Sequence, residues 1–337
     1  MSPPGVLITG AYGFVGAHLT EAAARLGAWV ALLDHPDVAS SPGAALYAER
    51  GREAGTDVVQ LCADITREAD LSAELTRLVE RNGPPDLVFH LAGQASPVVA
   101  SRRPGAAYEV NVVGTATLLQ TLTRIAPDAR VLIPSSAYVY GSPGPDGMLH
   151  ESDPVRPSNH YGASKVAQEE VARIFFETGE LRTYVTRSFN HIGPGQAKGF
   201  VVPDFASRLV DLERRGGGLL TVGNLAARRD YLDVRDVVQA YLTILDKGSP
   251  GVVYNVASGT PWSAQELLDV LLAEITVPIE VSQDPGLLRK ADVPVLLGDA
   301  GRLRALAWRP QRDIPETLRE TLQYWRRQAH HETHMGE

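Results

Sequence analysis

Cysteine, long apolar runs and positive charge are all scarce in this chain, and each shortage excludes something. One of the 337 residues is a cysteine, Cys62, so no intrachain disulfide can form and a reducing compartment is expected. The first apolar run, Val6-Leu7-Ile8, is a strand's length, and no basic residue precedes it. That is too short for a signal h-region or a membrane span. Together these shortages predict a cytoplasmic protein with no membrane contact. Thirty-two Lys and Arg stand against 40 Asp and Glu, a net charge of −8, which repels polyanions and excludes nucleic acid as a partner. A small phosphorylated ligand can still bind in a locally basic cleft. No repeat or low-complexity linker interrupts the chain. The histidines of the tail, His330, His331 and His334, have no neighbours to form an ordered second shell, so they read as a solvated end and no metal is expected.

What is present is an ordinary globular composition, 44% hydrophobic and 21% charged, in a chain long enough for one two-lobed unit. Short apolar runs alternate with amphipathic stretches. Val6–Ile8, Trp29–Leu33, Val58–Leu61, Leu87–Leu91, Val131–Ile133 and Thr183–Phe189 read as strands. Val15–Leu26, Leu71–Arg81, Tyr108–Ile125 and Tyr161–Phe176 read as helices. Continuous apolar strands alternating with helices predict an α/β fold, a Rossmann-type doubly wound parallel sheet covered on both faces. After Asn190 the rhythm loosens, through Gly193-Pro194-Gly195 and Gly216-Gly217-Gly218. A further helix, Leu232–Leu245, and a strand, Val252–Val256, return to the sheet. The expected organisation is a dinucleotide domain from 1–190 plus 229–257. A smaller C-terminal α/β substrate lobe, built from insertions, takes 191–228 plus 258–337, with Trp308 and Trp325 in its packing.

Strand Val6–Thr9 runs into Gly10-Ala11-Tyr12-Gly13-Phe14-Val15-Gly16 and then opens a helix. Such a turn needs glycines for its tightness, for backbone approach to a pyrophosphate and for helix–strand packing. The helix N-terminus then offers unpaired N–H groups and a positive dipole end to phosphate. Asp34 stands at the end of the next strand, where a carboxylate accepts from ribose hydroxyls and repels a 2′-phosphate. No Arg or Lys occurs between Asp34 and Glu49. NAD(H) is therefore preferred, with NADP(H) left open. A strand-end Asp also caps turns, so the acid alone does not carry the point.

Tyr161 and Lys165 are one helical turn apart and point the same way. A phenol titrates near about 10, and a neighbouring ammonium is expected to lower it. Bringing it to about 7 corresponds to roughly 4 kcal/mol. Ser136 follows strand Val131–Ile133 at the sheet edge, where its hydroxyl can donate to a carbonyl or alkoxide oxygen. Ser135 and Ser136 also suit a turn or cap. A serine after one strand and Tyr-Lys opening a later helix, downstream of a dinucleotide loop, make a candidate catalytic set for hydride and proton transfer.

Gly10–Gly16, His90-Leu91-Ala92, Asn111-Val112-Val113-Gly114-Thr115, Ser135-Ser136-Ala137-Tyr138-Val139-Tyr140-Gly141 and Tyr161-Gly162-Ala163-Ser164-Lys165 resemble the motifs of the extended short-chain dehydrogenase/reductases, in that family's order. The resemblance implies a bound nicotinamide nucleotide and a nucleotide-sugar substrate in the C-terminal lobe. It implies that Gly10, Tyr12, Gly13, Phe14, Val15, Gly16 and Asp34 hold the cofactor, with Asp64 and Ile65 flanking the adenine. Leu91, Ala92, Gly93 and Asn111 would line the same cofactor cleft. Tyr161 would be the acid/base, Lys165 the residue on the nicotinamide ribose, and Ser136 the contact to the reacting oxygen.

Further on, Arg187–Gln196, Phe200–Phe205, Gly223–Asp230 and Asp292–Asp299 are similar to the GDP-4-keto-6-deoxy-mannose reductases. This likeness implies a GDP-sugar, with Asn190, Val201, Asn224, Arg229 and Arg289 as candidate substrate contacts. A guanidinium suits a diphosphate because its planar fork bonds two oxygens at once, although surface ion pairs use the same residue. In the related dehydratases acidic residues directly follow the catalytic Thr or Ser. Here those positions are Ala137 and Tyr138, so dehydration is disfavoured. Asn159-His160 precedes Tyr161 where many relatives carry proline. The expected reaction is reduction of a 4-keto sugar. Nucleotide-sugar 4-epimerisation is the runner-up, and a non-catalytic dinucleotide-binding protein stands further behind. A homodimer is expected through the helices Tyr108–Ile125 and Tyr161–Phe176.

Overall fold

The computed structural model describes residues 3–26, 29–39, 56–141, 143, 147–287 and 294–334. Its larger sheet has seven parallel strands: β1 (Val6–Thr9), β2 (Trp29–Asp34), β3 (Asp57–Cys62), β4 (Leu87–His90), β5 (Arg130–Ser136), β6 (Arg182–Ser188) and β10 (Val253–Val256). They lie in the order β10-β6-β5-β4-β1-β2-β3. The chain winds outward from β1 to β3, crosses back, and winds outward again from β4. This reversal between β1 and β4 opens a crevice at the carboxyl ends of the strands.

The strand period of two sorts the apolar residues between two layers. Leu7, Ala31, Val88, Val131 and Ile133 face helices α2 (Glu68–Asn82), α3 (Gly114–Ile125) and α4 (His160–Glu177). Ile8, Val30, Leu32, Phe89 and Leu132 face α1 (Phe14–Ala24) and α6 (Val234–Lys247) on the opposite side. Both faces of every central strand are thus dry, which is why these strands read as unbroken apolar runs.

The smaller lobe holds β7 (Asn190–Ile192), β9 (Arg228–Asp233), β11 (Pro261–Ser263) and β13 (Val295–Leu296) in one sheet. A second sheet pairs β8 (Gly218–Val222) with β12 (Ile279–Gln283). Helices α5 (Val201–Arg214), α7 (Ala264–Leu272) and α8 (Ile314–His334) pack around a third core that includes Phe205, Leu209, Leu268 and Leu318. No helix among the described residues is long and apolar enough to cross a membrane.

Three local features differ from the sequence reading. Leu232 and Asp233 end strand β9 and do not begin a helix. The Asp233 carboxylate accepts from Arg235 N–H and caps α6, the role for which a short acceptor side chain is favoured. Strand β9 itself pairs within the smaller sheet while α6 and β10 belong to the larger layers, so the return crossing serves both lobes. The helix expected from Tyr108 to Ile125 starts earlier, at Pro104, and contains a π turn over Glu109–Val113. Trp308 packs into the larger core and donates to the Asp236 carbonyl at 3.2 Å, whereas Trp325 borders the smaller core.

Candidate active site

The crevice is built where β1, β4 and β5 end. At Gly10 the backbone has φ +66°, and a Cβ there would lie 2.6 Å from Ala92 N. Only glycine holds that left-handed turn against the Leu91–Ala92 backbone. At Gly16 a Cβ would lie 2.4 Å from the Ala11 carbonyl oxygen, so helix α1 rests directly on the turn. Helix α1 begins at Phe14 with Gly13 before it and no side-chain cap, leaving its first N–H groups directed into the crevice. This cradle fits a dinucleotide pyrophosphate. Tyr12 N–H donates to Asp34 Oδ2 at 2.9 Å, which ties the turn to the end of β2. The Tyr12 hydroxyl accepts from Gln60 at 3.0 Å.

Asp64 accepts from the Thr66 N–H and hydroxyl, and buried Ile65 presses on the glycine that opens α3, Gly114. Val15 packs on the larger core. Phe14 stacks on His191 of β7, with ring centroids 6.0 Å apart, so the glycine turn touches the second lobe.

On the other side of the crevice the π turn carries buried Asn111, a geometry that recurs at functional sites. Its Oδ1 accepts from Gln94 N–H at 2.8 Å and its amide donates to Ser164 Oγ at 2.9 Å. A Cβ at Gly93 would stand 2.8 Å from Asn111 Oδ1 and 3.8 Å from Lys165 Nζ. Gly93, Asn111 and Lys165 therefore form one wall.

Tyr161, Lys165 and Ser136 are buried together at the edge of the sheet. Asn159 accepts from the Gly162 N–H and caps helix α4, which places buried Tyr161 in its first turn. The Ser136 hydroxyl neighbours the Tyr161 phenol. Ser136 also accepts from Tyr138 N–H at 3.3 Å, which starts a short 3-10 turn. The Tyr138 ring stands edge-on to Tyr161 at 5.9 Å.

Lys165 donates to the Pro134 carbonyl at 2.8 Å and to Gln168 Oε1 at 2.7 Å. Burial pushes the ammonium down to about 8, with Glu169 acting in the opposite sense. Burial pushes the Tyr161 phenol up to about 12, although the neighbouring Ser136 hydroxyl favours its ionised form. The expected lowering of the phenol by Lys165 is not found: burial dominates, and Lys165 is not among the groups that act on it. Two donors of the ammonium are committed to Pro134 and Gln168, and desolvation dominates the phenol.

Asn190, Val201, Asn224 and Arg229, candidate substrate contacts, lie in the second lobe. Asn190 sits on β7 and pairs in register with Tyr231. Val201 is exposed at the start of α5. Asn224 accepts from Ala226 N–H. Arg229, on β9, donates to the Arg228 and Pro294 carbonyls. Arg289 lies outside the described residues.

Gln94 and Gln168 lie outside the motifs that the sequence offers. Gln168 follows Lys165 by three positions, a spacing that shares its helix face and is the available signal. His90, Thr115 and Ser164 stand in those motifs without an assigned role.

Three comparisons bear on this geometry. The model of the NAD dependent epimerase/dehydratase family matches residues 6–257. GDP-6-deoxy-D-mannose reductase of Pseudomonas aeruginosa is 37% identical over 244 residues, which cover 72% of this chain and 80% of that protein. The structure of RMD from Pseudomonas aeruginosa complexed with NADPH superposes with a TM-score of 0.78 at 31% identity, covering 96% of this chain and 99% of that one. A UDP-glucose 4-epimerase from Thermotoga maritima, solved with UDP-glucose, reaches a TM-score of 0.82 at 26% identity, over 96% and 99% of the two chains. A glycine cradle, a buried Ser-Tyr-Lys cluster and these likenesses agree, and the chain belongs to the NAD dependent epimerase/dehydratase family.

Proposed function

We propose that this chain is an oxidoreductase of the short-chain dehydrogenase/reductase type that reduces the 4-keto group of GDP-4-keto-6-deoxy-mannose, giving GDP-6-deoxy-mannose (GDP-rhamnose). The observation that carries the proposal is the burial of Ser136, Tyr161 and Lys165 together at the open end of a dinucleotide cradle. The 37% identical GDP-6-deoxy-D-mannose reductase supports the choice of sugar. Gly10–Gly16 and the Gly93–Asn111 wall would hold the dinucleotide, which when bound would supply the hydride. Tyr161 donates its phenolic proton to the sugar oxygen, Ser136 steadies that oxygen by hydrogen bonding, and Lys165 holds the nicotinamide ribose while its charge favours the phenolate left behind. Positioning carries most of the rate, since the redox chemistry belongs to the cofactor. Neither Ala137 nor Tyr138 is a carboxylate, which argues against the carbon deprotonation that dehydration requires.

NAD(H) is the proposed cofactor, because the Asp34 carboxylate at the end of β2 repels a 2′-phosphate. RMD was solved with NADPH, so the assay is run with both. Incubation with the GDP-keto sugar is expected to consume reduced cofactor stoichiometrically. An absence of consumption with either cofactor ends the proposal.

The second reading is a nucleotide-sugar 4-epimerase, favoured by the likeness to a UDP-glucose 4-epimerase. NAD⁺ that copurifies with the protein, with no net turnover of NADH, selects it. Asn190, Val201, Asn224, Arg229 and Arg289 are proposed to face the nucleoside diphosphate sugar. We also propose a cytoplasmic homodimer. Val113, at the end of the π turn, and Ile174, on α4, are both half-exposed apolar residues on helices suited to an isologous contact. A monomeric mass by light scattering refutes the dimer.

A further inference from the structure

Gln168 belongs to none of the motifs above, yet it is fully buried and its amide is committed at both ends. Oε1 accepts from Lys165 Nζ at 2.7 Å and Nε2 donates to Thr115 Oγ1 at 2.7 Å. Thr115 gives its single hydroxyl proton to the Asn111 carbonyl at 2.6 Å. It can then only accept from Gln168 and from His90 Nε2, which is 2.9 Å away. The ring proton of His90 therefore sits on Nε2. Nδ1 accepts from the Thr9 hydroxyl at 2.8 Å, and Thr9 Oγ1 accepts in turn from Ala92 N–H. Every group has one role. Turning the Gln168 amide over would set N–H against ammonium and carbonyl against a hydroxyl whose proton is already used. The neutral imidazole that the chain requires is the form its burial imposes, since desolvation, with Lys165 in the same sense, pushes His90 down to about 3.

We infer that Gln168 is a positioning residue that aims the Lys165 ammonium at the cofactor side of the crevice. An ammonium has three donors on a flexible stem. The Pro134 carbonyl takes one and Gln168 takes the second. Once two directions of a tetrahedral group are pinned, the third is determined. Nζ stands against the Gly93–Asn111 wall, 3.8 Å from where a Gly93 Cβ would be. The titratable groups around Lys165 are Tyr161 and Glu169 on its own helix and His90 on β4. Glu169 is held by Arg187 and His90 is neutral, which leaves Gln168 as the neutral acceptor that orients the charge. The inference rests on reading Lys165 as the residue that holds the nicotinamide ribose.

The test is NADH affinity, read by cofactor fluorescence from pH 6 to 9.5 without any sugar, for wild type, Gln168→Met and Gln168→Glu. Gln168→Met is expected to weaken binding roughly tenfold at pH 7, the scale of one hydrogen bond to a charged group. Its alkaline loss of affinity should begin about one pH unit earlier than in wild type. Gln168→Glu, which keeps an acceptor toward Lys165, should lose affinity later than wild type. Profiles that superimpose on wild type, even with a lowered Tm, overturn the inference, because a packing role leaves the Lys165 titration where it was. If Gln168→Met does not fold, Gln168→Glu carries the same comparison. A nitrogen NMR spectrum of wild type adds an independent check: His90 protonated on Nδ1, or on both nitrogens at pH 6, overturns the inference. Wild type that binds neither NADH nor NADPH refutes the cofactor reading itself and the inference with it. Wild type that binds while the variants match it refutes the inference alone.

Discussion

Holding Lys165 ready inside the protein costs stability, and that cost is measurable as a pH dependence. Burial moves its ammonium from 10.5 to about 8, which corresponds to about 3 kcal/mol of preference for the neutral form in the folded chain. Between these two values the unfolded chain binds more protons than the folded one, so this group makes the protein more stable as pH rises from 8 towards 10.5. Below pH 8 the full penalty applies and no longer changes with pH. Lys165→Met removes the titration from both states.

The stability of wild type minus that of the variant should therefore be flat from pH 6 to 7.5. It should then climb at up to about 1.4 kcal/mol per pH unit, gaining most of its 3 kcal/mol by pH 10. Tyr161, held up near 12 by burial, acts in the opposite direction above pH 10. It is present in both proteins, so its effect is common to the two curves and leaves the difference. Urea unfolding at pH 7, 8, 9 and 10 measures the difference directly. A flat difference across that range, within about 0.5 kcal/mol, refutes the reasoning and means that water or relaxation relieves the buried charge.

Tyr161→Phe keeps the ring and its edge-on contact with Tyr138 but removes the proton donor, so turnover should fall by roughly 10²- to 10⁴-fold while NADH affinity stays within a few fold. Equal turnover in a single-turnover assay contradicts the assigned role. Gly10→Ala forces a left-handed backbone on alanine and sets its Cβ 2.6 Å from Ala92 N. A loss of about 2 kcal/mol or more and weakened cofactor binding are expected by denaturation and fluorescence titration. Arg187 and Glu169 form a buried pair at 2.7 Å with side-chain exposures of 7% and 9%. Glu169→Leu alone should destabilise by about 3–5 kcal/mol, and the double variant Glu169→Leu with Arg187→Met by clearly less, because an unpaired buried charge costs more than an absent pair.

Much of the site was legible because its parts are local. Glycines at 10, 13 and 16 after an apolar strand specify a turn that only one geometry satisfies, and the structure shows Gly10 with φ +66° as that turn demands. Tyr161 and Lys165 share a helix face by spacing alone. The environment of these groups was a different matter. Helical spacing suggested an ammonium that lowers the phenol, whereas the folded chain commits the ammonium to Pro134 and Gln168 and leaves the phenol near 12. The Asp233 cap was hidden because an apolar run reads alike in a strand end and in a helix start. The π turn under Asn111 has no distinct residue pattern, since one extra residue in a helix changes no periodicity that a short window can detect.

By itself, the order of residues settled the layered α/β architecture and the presence of a phosphate-seating turn, because period, glycine placement and helix spacing act over a few neighbours. The tertiary structure alone decided which hydroxyl accepts from which donor. Thr9 and His90 are 81 positions apart, and Gln168 reaches Thr115 across 53. Such partners are chosen by the packing of the helix layer on the sheet, and in a dry interior the number of protons available forces each group into a single role.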